Sequence, residues 1–532
     1  MNHIKKSQNT FLRWCLSIAR SKDSIDSTKS AIVAIAILGI WLTIVIFTAT
    51  RHEFWRDEVR ALSLARAAFS PLDLFELTRH EGHPILWFLL LYIGKSIVDT
   101  QLILPIISIS VAFAAVVIFL FFSPFPFWIR CLFIFSALPF FYYSVIARNY
   151  GISMLLMFVV AMIYRNRGQY PLLMASVLAL LANTNIHSAI LVCLIAALWA
   201  YDTIIEQRPA SVRRLGFSFY LSFVIVFAGV LLCVLFTMPT SEDSTSTPMH
   251  GISVRNLFYS FVEAVLRPGQ TFYALMPKVP PFVISLLLYL AVFGLIHRPN
   301  LALAALGSLI AFGVIFRVFY GGSYRHQGLF LVFLLFLYWL FIESLNNGKA
   351  IKGIKIFLFY TGFYVSVLSL IFWNVHKTTV SVWGDINLEI SSSKAFGEFL
   401  NTSESYRDAI IVPEPDYLLE SLPYYANNRI YIPREHRFGT TVSWTTKSNQ
   451  HLSLGELLSL AMDLKINFDQ PVFIVLGHLE IYKYEHRKKN YSYNKIFTWN
   501  ADEFAEFNRL TIPVAKFMSA HSDENYFVYA IK

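Results

Sequence analysis

Read as apolar and polar positions, the chain alternates long apolar runs with short charged breaks as far as residue 376, and then changes character. The first run, residues 31–50, has about the 20 residues a helix needs to cross a hydrocarbon layer roughly 30 Å thick. Further runs follow at 84–98, 101–123, 131–147, 151–164, 171–186, 188–201, 217–237, 281–296, 299–317, 328–342 and 354–373. The pattern predicts a polytopic α-helical membrane protein of about 10–12 spans. It divides into a segment 1–30, a transmembrane domain 31–376 and a soluble domain 377–532.

The last block reads as an α/β unit. Strands are expected at 409–412, 429–432, 471–476 and 526–531, with a helix at 455–464. Charge composition agrees with the break. Only 15% of the chain is charged, against roughly 25% in ordinary soluble domains, and the charge is concentrated after residue 376. A plain soluble enzyme is excluded.

The net charge of +10 is a matter of topology rather than of nucleic-acid binding, because the excess Lys and Arg sit at the N-terminus and in short loops between apolar runs. Lys5, Lys6, Arg13, Arg20, Lys22 and Lys29 place the N-terminus in the cytoplasm. The loops with Arg165 and Arg167, with Arg208, Arg213 and Arg214, with His297 and Arg298, and with Lys349, Lys352 and Lys355 join it there. The segments around Arg148, 183–187, 238–280 and 318–327, and the whole C-terminal block, then fall outside. Parity requires an odd number of crossings between 84 and 130, so either the short run at 84–98 does not fully span or Arg130 or Arg148 lies on the other side from the one assigned. Cys15, Cys131, Cys193 and Cys233 lie in or beside apolar runs without metal-ligand spacing, so neither a disulfide framework nor a zinc site is expected.

Two outer loops are long. The first, 51–83, carries 11 charged residues and is expected to form an amphipathic helix at the surface, with Trp55, Val59, Leu62 and Ala65 on one stripe. Asp57 and Glu58 lie in it beside Trp55 and Trp87. Partial desolvation there raises a carboxylate's proton affinity and makes it a better base, so these two are the candidate catalytic carboxylates. The same residues also fit a solvated helix face beside an interfacial aromatic belt. Glu81 and His83 fit a metal pair, a phosphate contact or a loop cap before a span.

Cationic and polar groups recur at the outer ends of other runs: Arg148 and Tyr150, then Asn183 to His187, then Tyr324, Arg325 and His326. Arg267 and Lys278 add two more in the second long loop, 238–280. Arg suits phosphate because its planar fork stays charged and donates in parallel. Single arginines at span ends also snorkel to headgroups, so their grouping on one side is the stronger sign. In the C-terminal block, Glu414 to Tyr417 and Leu422 to Tyr425 fit either glycan contacts or core packing.

Trp55-Arg56-Asp57-Glu58, Glu81-Gly82-His83-Pro84 and Ala147-Arg148-Asn149-Tyr150 together resemble the outer-loop motifs of GT-C membrane glycosyltransferases. The nearer resemblance is to the bacterial branch related to protein O-mannosyltransferases and lipid A aminoarabinose transferases. It covers most of the chain in layout and about a dozen residues in motif. The second loop motif offers Arg148 where several relatives carry a carboxylate.

The resemblance implies sugar transfer from a polyprenyl-phosphate carrier to a glycan, lipid or protein acceptor at the outer face of a bacterial inner membrane. It implies Asp57 as general base and Glu58 as acceptor-positioning residue or, with Asp57 and His83, holder of a divalent cation. His83, Arg148, Arg325 and His326 would contact the carrier phosphate, with Glu81, Tyr150, His187, Arg267, Lys278 and Tyr324 as further substrate contacts. The alternative class is a transporter or flippase of a lipid-linked sugar or another anionic lipid.

Overall fold

Apolar runs of 20 residues or more fold as the helices their length calls for. The computed structural model describes residues 28–206, 216–244, 253–346, 354–477, 487–490 and 495–532. Among these, seven helices are long and apolar enough to cross a membrane: Lys29–Arg51, Ile103–Phe122, Ile186–Ile205, Phe217–Thr237, Pro299–Val318, Tyr324–Leu345 and Ile354–Asn387. Leu86–Ile97, Tyr150–Tyr164, Pro171–Ala182 and Pro281–Phe293 are shorter apolar helices. The chain is an integral membrane protein. The expected cytoplasmic residues Lys5 to Lys22, Arg208, Arg213, Arg214, Lys349 and Lys352 lie outside the described residues.

The chain forms two compact units, one of residues 1–49, 108–233 and 252–382, the other of 50–107, 234–251 and 383–532. In the first, helix Tyr324–Asn346 is enclosed on all sides: every residue from Leu329 to Phe341 is buried. A helix apolar around its whole circumference belongs in such a place. Its two polar ring groups there are satisfied: the Tyr338 hydroxyl donates to Ala291 O at 2.7 Å and the Trp339 indole N–H to Glu343 at 2.8 Å.

The expected run 131–147 is not one helix. Phe127–Ile134 is helical, then Leu138–Tyr142 forms a single wide π turn, and residues 143–149 are turns. Pro139 supplies no N–H to an α-helical ladder, which breaks the run at that point.

Opposite ends of this unit's helices gather different loops. At one end Asp202 accepts from Tyr164 Oη at 2.9 Å and Asn300 Nδ2 at 2.7 Å, with Arg167 and Arg298 at 3.5 and 4.0 Å. The Arg165–Arg167 and His297–Arg298 loops therefore share that end, as their common basic character predicts. The loops expected on the other side meet at the other end, where Asn149 Nδ2 donates to Thr184 O and Tyr320 Oη meets His187 Nε2, both at 2.5 Å.

In the second unit, residues 51–83 divide: the first helix is buried over most of its length, while the stretch after it is open, with Phe69 95% and Leu72 77% exposed. Helix Arg56–Ala67 buries every residue from Glu58 to Ala65, polar Glu58, Arg60 and Ser63 included. The stripe of Val59, Leu62 and Ala65 is inside as expected, and partners for the charges allow the rest to follow. Helix Pro71–Thr78 starts in a capping box between Ser70 and Asp73. Helix Leu86–Ile97 packs on both. Its 12 residues rise roughly 18 Å, less than the roughly 30 Å of a hydrocarbon layer.

The α/β expectation for the last block holds. Strands Ile410–Glu414, Val472–Gly477, Tyr526–Ile531 and Thr511–Phe517 make a four-stranded sheet in that order, the first pair parallel and the others antiparallel. Helix Leu454–Phe468 covers one face through Leu457, Leu458 and Ala461. Phe396, Leu400, Tyr417 and Trp444 cover the other. Both faces being covered accounts for the unbroken apolar runs at Ile410–Val412 and Val472–Leu476.

Candidate functional site

Three helices of the first unit begin at the end where the polar loops meet: Tyr150–Tyr164, Ile186–Glu206 and Tyr324–Asn346. Each presents the positive end of its dipole there. The loops are fixed locally. Asn185 Oδ1 accepts the Ser188 amide at 2.9 Å, and Ser153 Oγ bonds Thr184 Oγ1 at 2.8 Å. Ser323 bonds His326 Nδ1 through its hydroxyl at 2.8 Å and its amide at 3.0 Å.

On this frame stands a connected group of rings. His326 lies edge-on to Tyr150 at 5.3 Å between centroids and stacks on His187 at 5.2 Å. Tyr320 contacts both histidines, and burial raises its phenol above the ordinary range. The Arg325 guanidinium is 5.9 Å from the Tyr150 ring, while the Arg325 carbonyl accepts from Tyr143 Oη at 2.8 Å. Tyr142 packs on Tyr324 at 4.5 Å, and the Lys377 ammonium lies 4.3 Å from the Tyr324 ring centre.

Of the expected outer-end residues, the structure brings together Tyr150, His187, Tyr324, Arg325 and His326, with half-buried Arg148 two residues before Tyr150. Arg267 and Lys278 are not in the group: among the described residues, no hydrogen bond, ion pair or ring contact joins either to it. Arg267 is 63% exposed and 4.0 Å from Glu263, and Lys278 is exposed. Lys377, absent from the expectations, is part of it. It was hidden because it opens the more polar block by composition, although its helix continues to Asn387.

The candidate carboxylates belong to the second unit, and they differ. Asp57 and Glu58 open helix Arg56–Ala67, where negative charge suits the dipole. Glu58 Oε2 is 2.8 Å from His52 Nε2, and His52 Nδ1 is 2.7 Å from Asp385 Oδ1; all three side chains are at most 2% exposed. Burial opposes a charge on His52, but Glu58 and Asp385 outweigh it and push the pKa up to about 10. Asp57 is 31% exposed and 3.8 Å from Arg56. The helix start is held by the Arg56 amide, which donates to Glu524 at 2.8 Å, and by Arg56 itself against Asp523 at 3.3 Å.

Glu81 is engaged in the same unit. It takes Arg60 Nε at 2.7 Å and Nη2 at 2.6 Å, a bidentate pair. Arg60 also donates to Glu420 and to Val442 O, and stacks on Trp444 at 4.6 Å. Burial pushes Glu420 up to about 7 against the pull of Arg60. His83 is half-buried. Among the described residues, no three His, Cys, Asp or Glu side chains form a group able to hold a metal ion, so Asp57, Glu58 and His83 are not assembled as one.

The C-terminal aromatic and acidic candidates are spent on packing. Glu414 pairs with fully buried Arg434, Asp416 with Lys495 at 2.6 Å, and Tyr424 bonds Ser63 Oγ at 3.1 Å and Val59 O at 3.2 Å.

Fold and site define a largely helical integral membrane protein with a sheet-containing C-terminal domain. No protein-family model matches the sequence, and no curated protein matches it. Among solved structures, apo ArnT from Cupriavidus metallidurans is similar in fold at TM-score 0.48 and 11% identity, over 95% of this chain and 98% of that one.

Proposed function

We propose that the protein is a membrane glycosyltransferase that moves a sugar from a polyprenyl-phosphate carrier to a glycan, lipid or protein acceptor. It would act at the outer face of a bacterial inner membrane, with the C-terminal domain extracytoplasmic. One observation carries the reading: three helix N-termini, Arg325, His326 and His187 gather at one end of the first unit, a setting suited to a phosphate leaving group.

A transferase of this kind needs a base for the acceptor hydroxyl and donors for the phosphate that departs with its bonding pair. Asp57 takes the first role, because it is the partly exposed member of the acidic pair. Arg325 and His326, with Arg148, take the second. Transport without bond chemistry calls for ionisable groups near mid-span, whereas these stand at helix starts.

The test is transfer of radiolabelled sugar from a polyprenyl-phosphate donor in vesicles containing the full chain. Transfer lost with Arg325→Gln and with Asp57→Asn is the expected result. Donor movement across the bilayer without transfer would replace this reading with transport.

A further inference from the structure

Helix Ile354–Asn387 has 34 residues and is longer than a bilayer requires. Lys377 lies roughly 35 Å along it, more than the roughly 30 Å of a hydrocarbon layer. A lysine normally extends its ammonium into water. This one is half-buried, with its Nζ 4.3 Å from the Tyr324 ring centre and 5.7 Å from that of Tyr142. Among the described residues it has no carboxylate within ion-pair distance, and two aromatic faces offset only part of the cost of desolvating an ammonium.

A second group beside it is also unmatched. Tyr324 is 7% exposed, and among the described residues its hydroxyl has no hydrogen-bond partner. Buried hydroxyls in folded proteins almost always find one. A cation lacking an anion over a ring whose hydroxyl lacks an acceptor leaves the same thing missing twice: an oxyanion. Tyr324 also directly precedes Arg325, which stands on the neighbouring ring of Tyr150.

We infer that Lys377 is a ligand of the carrier phosphate, with the Tyr324 hydroxyl as a second donor. The inference rests on the proposed function for the identity of the ligand, a phosphate ester on a polyprenyl chain. Its observations are independent of Asp57 and of any transfer step. Lys377 supplies charge and Tyr324 direction, so removing either weakens the phosphate and leaves the lipid tail unaffected.

The experiment is direct binding to the full chain in zwitterionic nanodiscs, using a short polyprenyl phosphate, the corresponding uncharged polyprenol, and inorganic phosphate as competitor. Lys377→Met is expected to weaken the polyprenyl phosphate about tenfold or more, the scale of one charge-assisted hydrogen bond, with polyprenol unchanged. Lys377→Arg should retain most of the binding, and Tyr324→Phe should lose a smaller factor. Unchanged phosphate binding in Lys377→Met overturns the inference, as does equal loss of both lipids. Inorganic phosphate held as tightly as the lipid overturns the lipid assignment. Sugar transfer failing in the wild type while Lys377 still governs phosphate binding would remove the proposed function and leave this site standing.

Discussion

His52 Nε2 sits 2.8 Å from Glu58 Oε2 with both side chains buried, and the opposite ring nitrogen is 2.7 Å from Asp385. One imidazole thus bridges two buried carboxylates, whose charges outweigh burial and favour its protonated form. Glu58 is held in place by that contact.

Removing the ring leaves two buried carboxylates facing a hole, so His52→Leu should destabilise by about 3–5 kcal/mol. The pH dependence has a definite sign. His52 titrates near 6.5 when unfolded and near 10 when folded, so its stabilising effect is complete below about 6.5 and is lost as pH rises through about 10. Melting of the detergent-solubilised protein should fall between pH 8 and 11 by more in the wild type than in His52→Leu. Parallel pH profiles for the two would show that the ring carries no charge.

Neighbouring acids on one helix turn should separate by assay. Asp57→Asn is expected to lower transfer by a factor of about 10² to 10⁴, the range for loss of a general base, with a melting point close to wild type because the side chain is 31% exposed. Glu58→Gln should do the reverse first, lowering the melting point by weakening the pair with His52. Near wild-type turnover in Asp57→Asn removes it from the chemistry.

Much of this layout was legible in the sequence, and what was missed follows a rule. Apolar length gave the seven long helices, and Lys/Arg bias grouped the Arg167 and Arg298 loops that meet around Asp202, because both signals are local. The buried strands at Val472–Gly477 and Tyr526–Ile531 were readable from unbroken apolar runs for the same reason. Pairings across long separations were not. Nothing near His52 announces Asp385, 333 positions later, and nothing near Arg60 announces Glu420, 360 positions later. Hence a charged helix expected at a surface turned out buried. Thr511–Phe517, an edge strand with only Thr511 fully buried, carried too little apolar pattern to be read.

Arg60 and Glu81 give the next test. Their bidentate pair, with Glu420 and Trp444 on the same guanidinium, makes Glu81 a partner of Arg60 before anything else. Arg60→Met should cost about 3–5 kcal/mol because Glu81 and Glu420 lose their counter-charge. Glu81→Gln should cost less and leave the donor concentration for half-maximal transfer unchanged. A selective rise in that concentration, with no change in melting, would restore Glu81 as a substrate contact.

Gly151 tests the frame of the phosphate end. It is the second residue of helix Tyr150–Tyr164, and a Cβ there would stand 2.5 Å from the Tyr143 carbonyl oxygen. Backbone cannot swing aside as a side-chain tip can, so Gly151→Ala must push the helix start away from the turn at Tyr143. Overpacking of this kind costs about 1–3 kcal/mol. The shift would carry Tyr150, which stacks on Tyr143 at 6.0 Å and meets His326 at 5.3 Å. Gly151→Ala should therefore melt lower and need more donor for half-maximal transfer, while the rate at saturating donor changes little. A variant that melts and binds donor as the wild type does would show that helix and turn are not in this close approach, and with it that the ring cluster is not held as described.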